Sequence, residues 1–332
     1  MSAILHKAQL NTDPILKIEH VKKYYPIKKG IFSKTVGHVK AVDDVNLLVF
    51  PGETLGVVGE SGCGKSTLGR SIVRLEHLTE GSILFKNQNI HQLPEPNMRQ
   101  VRSELQIIFQ DPYASLNPKK RVSELLINPL LVHSRLTADE ARKKASELLD
   151  IVGLSKYSLN KFPHEFSGGQ RQRIGIARAV ILQPKLIVCD EPVSALDVSI
   201  QAQILNLLKS LQNNFQLTYL FIAHGLGAVK FMSDRIAVMY LGKIVELART
   251  SDLFKQPKHP YTKALLDAYP VPNPLSRGKE RIILTGDVPN PAAPPSGCRF
   301  HTRCPLAQPR CREEEPGLQG AQHMAACHYP LS

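Results

Sequence analysis

Gly59-Glu60-Ser61-Gly62-Cys63-Gly64-Lys65-Ser66 has the residue types and the spacing of a loop that wraps phosphate. Gly59, Gly62 and Gly64 would let backbone N–H groups turn inward around phosphate oxygens, with a helix N-terminus adding its partial positive charge. Lys65 would then reach the β- and γ-phosphates and Ser66 would hold Mg²⁺, with Ser61, Cys63 and Thr67 in the same nucleotide-binding set. The alternative is an accidental glycine-rich turn. Cys63 reads as a small loop residue rather than a reactive thiol.

Such a loop needs a metal-binding acid, and Leu186-Ile187-Val188-Cys189 ends in Asp190 and Glu191. An apolar strand would place both carboxylates at its C-terminal end, where open α/β sheets bind ligands. Asp190 would belong to the Mg²⁺ shell, and Glu191 would orient and deprotonate an attacking water. Ser167-Gly168-Gly169-Gln170 forms a third constellation. Ser167 and Gln170 have capping-box spacing, and the two glycines inside the cap would leave N–H groups open to an anion. Taken alone, this is an ordinary helix start.

The elements that must position these residues alternate. Ile15 to Tyr25, Ala41 to Phe50 and Thr54 to Val58 read as strands, and Lys65 to Leu75 as a helix. Leu105 to Phe109 reads as a further strand. Thr137 to Val152 is a capped helix with Ala141, Ala145, Leu148, Leu149 and Val152 on its apolar face and Gly153 as its stop. After the helical run Ile174 to Leu182 come a strand ending at Cys189, a helix from Ile200 to Leu211 and a strand from Tyr219 to Ala223. A strand pair, Ile236 to Tyr240 and Lys243 to Leu247, turns at Gly242. This alternation predicts an α/β core of mixed sheet and flanking helices. Beyond about Thr250, prolines at 270, 272, 274, 289, 291, 294 and 295 predict a linker and a small appended module.

That module carries Cys298, Cys304, Cys311 and Cys327, with five, six and fifteen residues between them. Crowded thiols in a cytosolic chain point to metal or redox chemistry rather than structural disulfides. A cytosolic location is expected, because no window approaches the roughly 18 apolar residues of a membrane span and the start lacks a signal-peptide core. The net charge of +13 would suit a polyanionic partner or an anionic membrane face. The lysines and arginines are scattered without a block of like charge, which favours a solvated basic surface over a nucleic-acid groove.

The phosphate loop, the Ser167-Gly168-Gly169-Gln170 signature and the Asp190-Glu191 strand, in that order, resemble the ATP-binding-cassette (ABC) family of transporter ATPases. The resemblance implies a phosphate-loop ATPase core over residues 1–250, a helical subdomain over about 111–180, and a C-terminal extension over 251–332. It makes Gln110 a loop glutamine that senses Mg²⁺ and the membrane partner, His224 a switch histidine on the γ-phosphate, and Tyr25 a platform for adenine. Ser194-Ala195-Leu196-Asp197 resembles the loop that crosses the dimer interface. Two ATP molecules would lie between head-to-tail subunits, each held by the Lys65 loop of one and by Ser167 and Gly169 of the other. Gly225 is a departure, since many relatives carry an acidic residue after the histidine.

Residues 110–118, 191–199, His259-Pro260-Tyr261-Thr262 and the cysteine tail are similar to the dipeptide and oligopeptide importer branch, and most of all to a dipeptide-importer subunit that pairs with a second ATPase. The branch implies that second ATPase (or a homodimer), two membrane permeases and an extracytoplasmic solute-binding protein. It places the chain on the cytoplasmic face of the bacterial inner membrane. Members can carry a [4Fe–4S] cluster on a comparable tail. Zinc, with help from His301, His323 or His328, and uncoordinated thiols stay open beside that reading. A nickel or other small-solute importer is the alternative within transport, and a nucleic-acid-associated cassette ATPase the alternative outside it.

Overall fold

The computed structural model describes residues 13–30, 33–268 and 286–332. The start of the chain and Pro270, Pro272 and Pro274 therefore lie outside the described residues.

A long antiparallel hairpin comes first: β1 (Leu16–Lys29) and β2 (Lys34–Val49), with Tyr25 opposite Val39. β3 (Thr54–Val58) leads through the glycine-rich loop into α1 (Lys65–Ile72). β4 (Glu80–Phe85) and β5 (Gln88–Asn89) complete a four-stranded sheet in the order β2-β1-β4-β5. Next come α2 (Glu95–Glu104) and β6 (Leu105–Ile108), then the helices α3 (Pro112–Ser115), α4 (Val122–His133), α5 (Ala138–Ile151) and α6 (Gly168–Val180). α4 packs on α5 and α6, and α3 on α6. The chain continues through β7 (Leu186–Asp190), α7 (Val198–Phe215), β8 (Thr218–Ile222), α8 (Leu226–Met232), β9 (Arg235–Tyr240) and β10 (Lys243–Arg249). It ends with α9 (Thr250–Lys255), α10 (Pro260–Ala268), α11 (Pro309–Glu313) and the short β11 (Met324–Ala325).

The second sheet runs β11-β10-β9-β3-β8-β7-β6, parallel from β9 to β6 and antiparallel at the β10 and β11 edge. β3, β7 and β8 are buried at every residue, which is why their sequences are near-continuous apolar runs rather than alternating ones. Because β3 and β7 both flank β8 in parallel, the loop after β3 and the acids after β7 emerge at one edge of the sheet.

The expected α/β alternation is present. Thr137 caps α5, accepting from Glu140 N–H at 3.3 Å while Glu140 accepts from Thr137 N–H at 2.8 Å. One boundary needs correcting: α1 stops at Ile72 rather than Leu75, where Arg74 takes a left-handed φ of 55°. After residue 250, α9 and α10 are helical, and Glu246 and Leu247 of β10 pair with Ala325 and Met324 of β11. Among the described residues no helix is long and apolar enough to cross a membrane.

Candidate functional site: a phosphate loop facing two carboxylates

Close packing makes Gly59 and Gly64 of the loop obligatory. A Cβ on Gly64 would lie 1.9 Å from the Ala41 carbonyl oxygen, in a backbone already at φ 106°. A Cβ on Gly59 would lie 2.1 Å from the Met239 carbonyl oxygen. Lys65 is buried, and its ammonium donates to the carbonyls of Gly59 at 2.8 Å and Glu60 at 3.0 Å, so the loop folds around its own lysine. Ser61 and Gly62 are exposed at the tip, and Ser66 and Thr67 open the first turn of α1. Cys63 is buried, and burial pushes its thiol up, as expected of a small packing residue.

Ser66 Oγ donates to Asp190 Oδ1 at 2.7 Å. Asp190 is fully buried, and its Oδ2 has no hydrogen bond, the nearest cation being Arg70 Nε at 3.8 Å. Burial raises the carboxyl pKa, and the Ser66 bond opposes that shift. A buried, unsatisfied carboxylate oxygen beside a hydroxyl has the donor chemistry Mg²⁺ takes, so Ser66 and Asp190 fit that ion. The neighbouring Glu191 has a left-handed φ of 48°, a strain of about 1 kcal/mol for a residue with a Cβ. That conformation turns its side chain off the strand line, where Gln110 Nε2 donates to Glu191 Oε2 at 2.9 Å.

The structure thus joins residues 59–67, Gln110, Asp190 and Glu191. His224 is exposed just beyond β8, the strand between β3 and β7. Tyr25 is half-buried in the hairpin, opposite Val39, which lies two residues before Ala41, whose carbonyl closely approaches Gly64. Ser167, Gly168, Gly169 and Gln170 form a separate exposed cap: Gln170 N–H donates to Ser167 Oγ at 3.4 Å and Ser167 N–H to Gln170 Oε1 at 3.0 Å. Asp197 caps α7, accepting from Ile200 N–H at 3.1 Å. A Cβ on Gly169 would lie 2.7 Å from Ile200, so this cap and the start of α7 share one surface, on which Val198 is 82% exposed.

Sequence reasoning missed the coupling between the Gln110 loop and α6. The Arg171 guanidinium stacks 3.7 Å from the centre of the Tyr113 ring and donates to the carbonyls of Pro163 and His164. Arg178 donates to the Ser115 carbonyl. Both arginines sit on α6, whereas the sequence reads the chain's scattered lysines and arginines as a solvated surface.

In the tail, Cys298, Cys304, Cys311 and Cys327 line one small cavity with His301 and His328, and none is in a disulfide. Burial pushes the Cys298 thiol up to about 11 and raises Cys304 and Cys327 as well. Among the described residues no three His, Cys, Asp or Glu side chains are spaced as a metal ion requires. His323 is engaged elsewhere, 2.6 Å from the buried Glu246 carboxylate.

A core of this topology, with a phosphate loop opposite an acid pair and an exposed glycine cap, defines an ABC-type ATPase. Residues 42–194 match the ABC transporter family and residues 245–311 the C-terminal region of oligopeptide/dipeptide transporters. The oligopeptide transport ATP-binding protein AppF of Bacillus subtilis is 54% identical over 96% of this chain and 98% of its own length. The dipeptide transport ATP-binding protein DppF of Haemophilus influenzae is 48% identical over 92% of this chain and 93% of its own. Among solved structures, the ATP-binding cassette MJ0796, a dimer in a post-hydrolysis state bound to ADP and Pi, superposes with a TM-score of 0.63. It is 29% identical and covers 71% of this chain and 98% of its own. The chain belongs to the oligopeptide/dipeptide branch of the ABC transporter ATP-binding subunits.

Proposed function

We propose that this chain binds and hydrolyses ATP to drive import of dipeptides or oligopeptides through two membrane permeases at the cytoplasmic face of the bacterial inner membrane. The observation that carries the reading is the near full-length likeness to peptide-transport ATPases, tail region included. Residues 59–67 take the phosphates, Tyr25 the adenine, and Ser66, Asp190 and Gln110 the Mg²⁺ shell. When bound, that ion would neutralise negative charge on the phosphates. Glu191 accepts a proton from the attacking water, and His224 donates to the γ-phosphate.

The exposed Ser167–Gln170 cap and Asp197 serve the nucleotide of a partner cassette, a second homologous ATPase in a head-to-tail pair or, failing that, a second copy of this chain. The dimeric state of the MJ0796 cassette supports that arrangement. An extracytoplasmic solute-binding protein completes the importer. Motion of the Gln110 loop reaches the cap through the Tyr113–Arg171 stack and the Arg178 bond to Ser115. The division into a cassette over 1–250, helices within about 111–180, and a 251–332 extension belongs to the same reading.

The four tail cysteines share a cavity and carry soft donors, but no three of the described donors are spaced to hold a metal ion, so a [4Fe–4S] cluster or zinc would have to draw the thiols together. Iron, sulfide and zinc analysis of anaerobically purified protein, with its visible absorbance, tests that assignment. The import reading is tested by uptake of labelled dipeptide, oligopeptide and nickel into cells carrying the operon with native protein or Lys65→Ala. Peptide uptake lost in the variant supports the reading; uptake indifferent to Lys65 ends it.

A further inference from the structure

Glu60, the second residue of the phosphate loop, is held by the C-terminal extension. Arg303 Nη1 donates to Glu60 Oε2 at 2.7 Å and Nη2 to Oε1 at 3.1 Å, a two-pronged ion pair whose arginine is 6% exposed. The backbone N–H of Glu60 donates to Tyr261 Oη at 2.8 Å. Its carbonyl accepts from Lys65 Nζ at 3.0 Å. Every polar group of Glu60 is therefore engaged, two of the three by residues outside the 1–250 cassette.

The holders are themselves fixed. Tyr261 is fully buried, with its ring 4.6 Å from that of Tyr240 and 5.4 Å from that of Phe300. Arg303 follows Arg299, which pairs with the buried Asp43 and donates to the Leu241 carbonyl. Residues 299–303 thus clamp onto the cassette at two points and present one guanidinium to the phosphate loop.

The charge at Glu60 is wrong for its place, because a carboxylate in a loop that wraps a polyanion repels the ligand. Arg303 cancels that charge and fixes the side chain, while Tyr261 fixes the backbone. We infer that Arg303 and Tyr261 are positioning residues for ATP binding, so that the extension is a working part of the nucleotide site. The inference rests on the reading that residues 59–66 hold the phosphates.

The test uses the full-length protein and compares ATP affinity, KM and kcat for Arg303→Met, Arg303→Lys, Glu60→Gln/Arg303→Met and Lys65→Ala, with a melting curve for each. Arg303→Met exposes ATP to an uncompensated carboxylate and should weaken its binding on the order of tenfold, as a rise in KM with kcat nearly unchanged. Removing the carboxylate as well, in Glu60→Gln/Arg303→Met, should recover most of that loss, and Arg303→Lys should recover part. If Arg303→Met binds ATP like native protein while Lys65→Ala does not, the inference fails alone. A lowered melting temperature with no recovery in the double variant also overturns it, since Arg303 would then act only in folding. If Lys65→Ala still binds ATP normally, the phosphate-loop reading fails and takes the inference with it.

Discussion

Gln110 Nε2 and Glu191 Oε2 are 2.9 Å apart, so the second residue after β6 touches the first residue after β7 across the mouth of the sheet. This bond holds the proposed base by its carboxylate, and an amide in its place would keep the shape and lose the basicity. Glu191→Gln should therefore bind ATP with unchanged affinity and release phosphate about 10²- to 10⁴-fold more slowly. Phosphate-release assays beside nucleotide binding check both halves; turnover near the native rate would remove Glu191 from the role.

Asp190 is strained in a different way. Its carboxylate is buried with one oxygen unsatisfied, and burial raises its pKa, so the ionised form destabilises the nucleotide-free protein. Asp190→Asn removes that charge and should melt about 1–3 °C higher without nucleotide, while losing Mg²⁺-dependent ATP turnover. Scanning calorimetry with and without Mg-ATP separates the two effects. A variant that melts lower without nucleotide would show the Ser66 bond outweighing the buried charge.

The parts of this site that could be read from sequence are those whose spacing is local. Gly59 to Ser66 fixes its geometry within eight residues, and the Thr137 and Ser167 capping boxes close over three. β7 was legible because a strand buried on both faces must be apolar throughout. What stayed hidden depends on distant partners. Glu60 and Arg303 are 243 positions apart, and nothing near either marks the pair. α4 carries Pro129 in its interior, which local rules read as a helix break. β11 is two residues long and is a strand only because β10 lies beside it. β4 likewise needs the hairpin edge to pair with, and β5 needs β4.

Ser167 offers a test of the paired arrangement. Its side chain is exposed, so a large cation fits there within the subunit, at a cost of about 1 kcal/mol for the lost α6 cap. In a head-to-tail pair it would meet the other subunit's nucleotide. Ser167→Arg should therefore bind ATP normally as an isolated chain, yet lower turnover of the assembled pair at least about tenfold, the scale of losing one transition-state contact. Normal turnover in the assembled pair would remove the cap from the site.

Gly225 is the N-cap of α8, at φ −89° and ψ 121°, and α8 has no side-chain cap. A Cβ there meets nothing within 4 Å, so Gly225→Asp fits without strain. The carboxylate can accept an N–H from the first turn and should stabilise the helix by a few tenths of a kcal/mol. It also lies beside His224, where a carboxylate can accept from the imidazole and restrain its loop. Gly225→Asp should raise kcat about two- to fivefold, and only where His224 is present, because the gain acts through the ring. Steady-state turnover of Gly225→Asp, His224→Ala and the double variant decides it. Equal gains with and without His224 would place the effect in α8 stability alone.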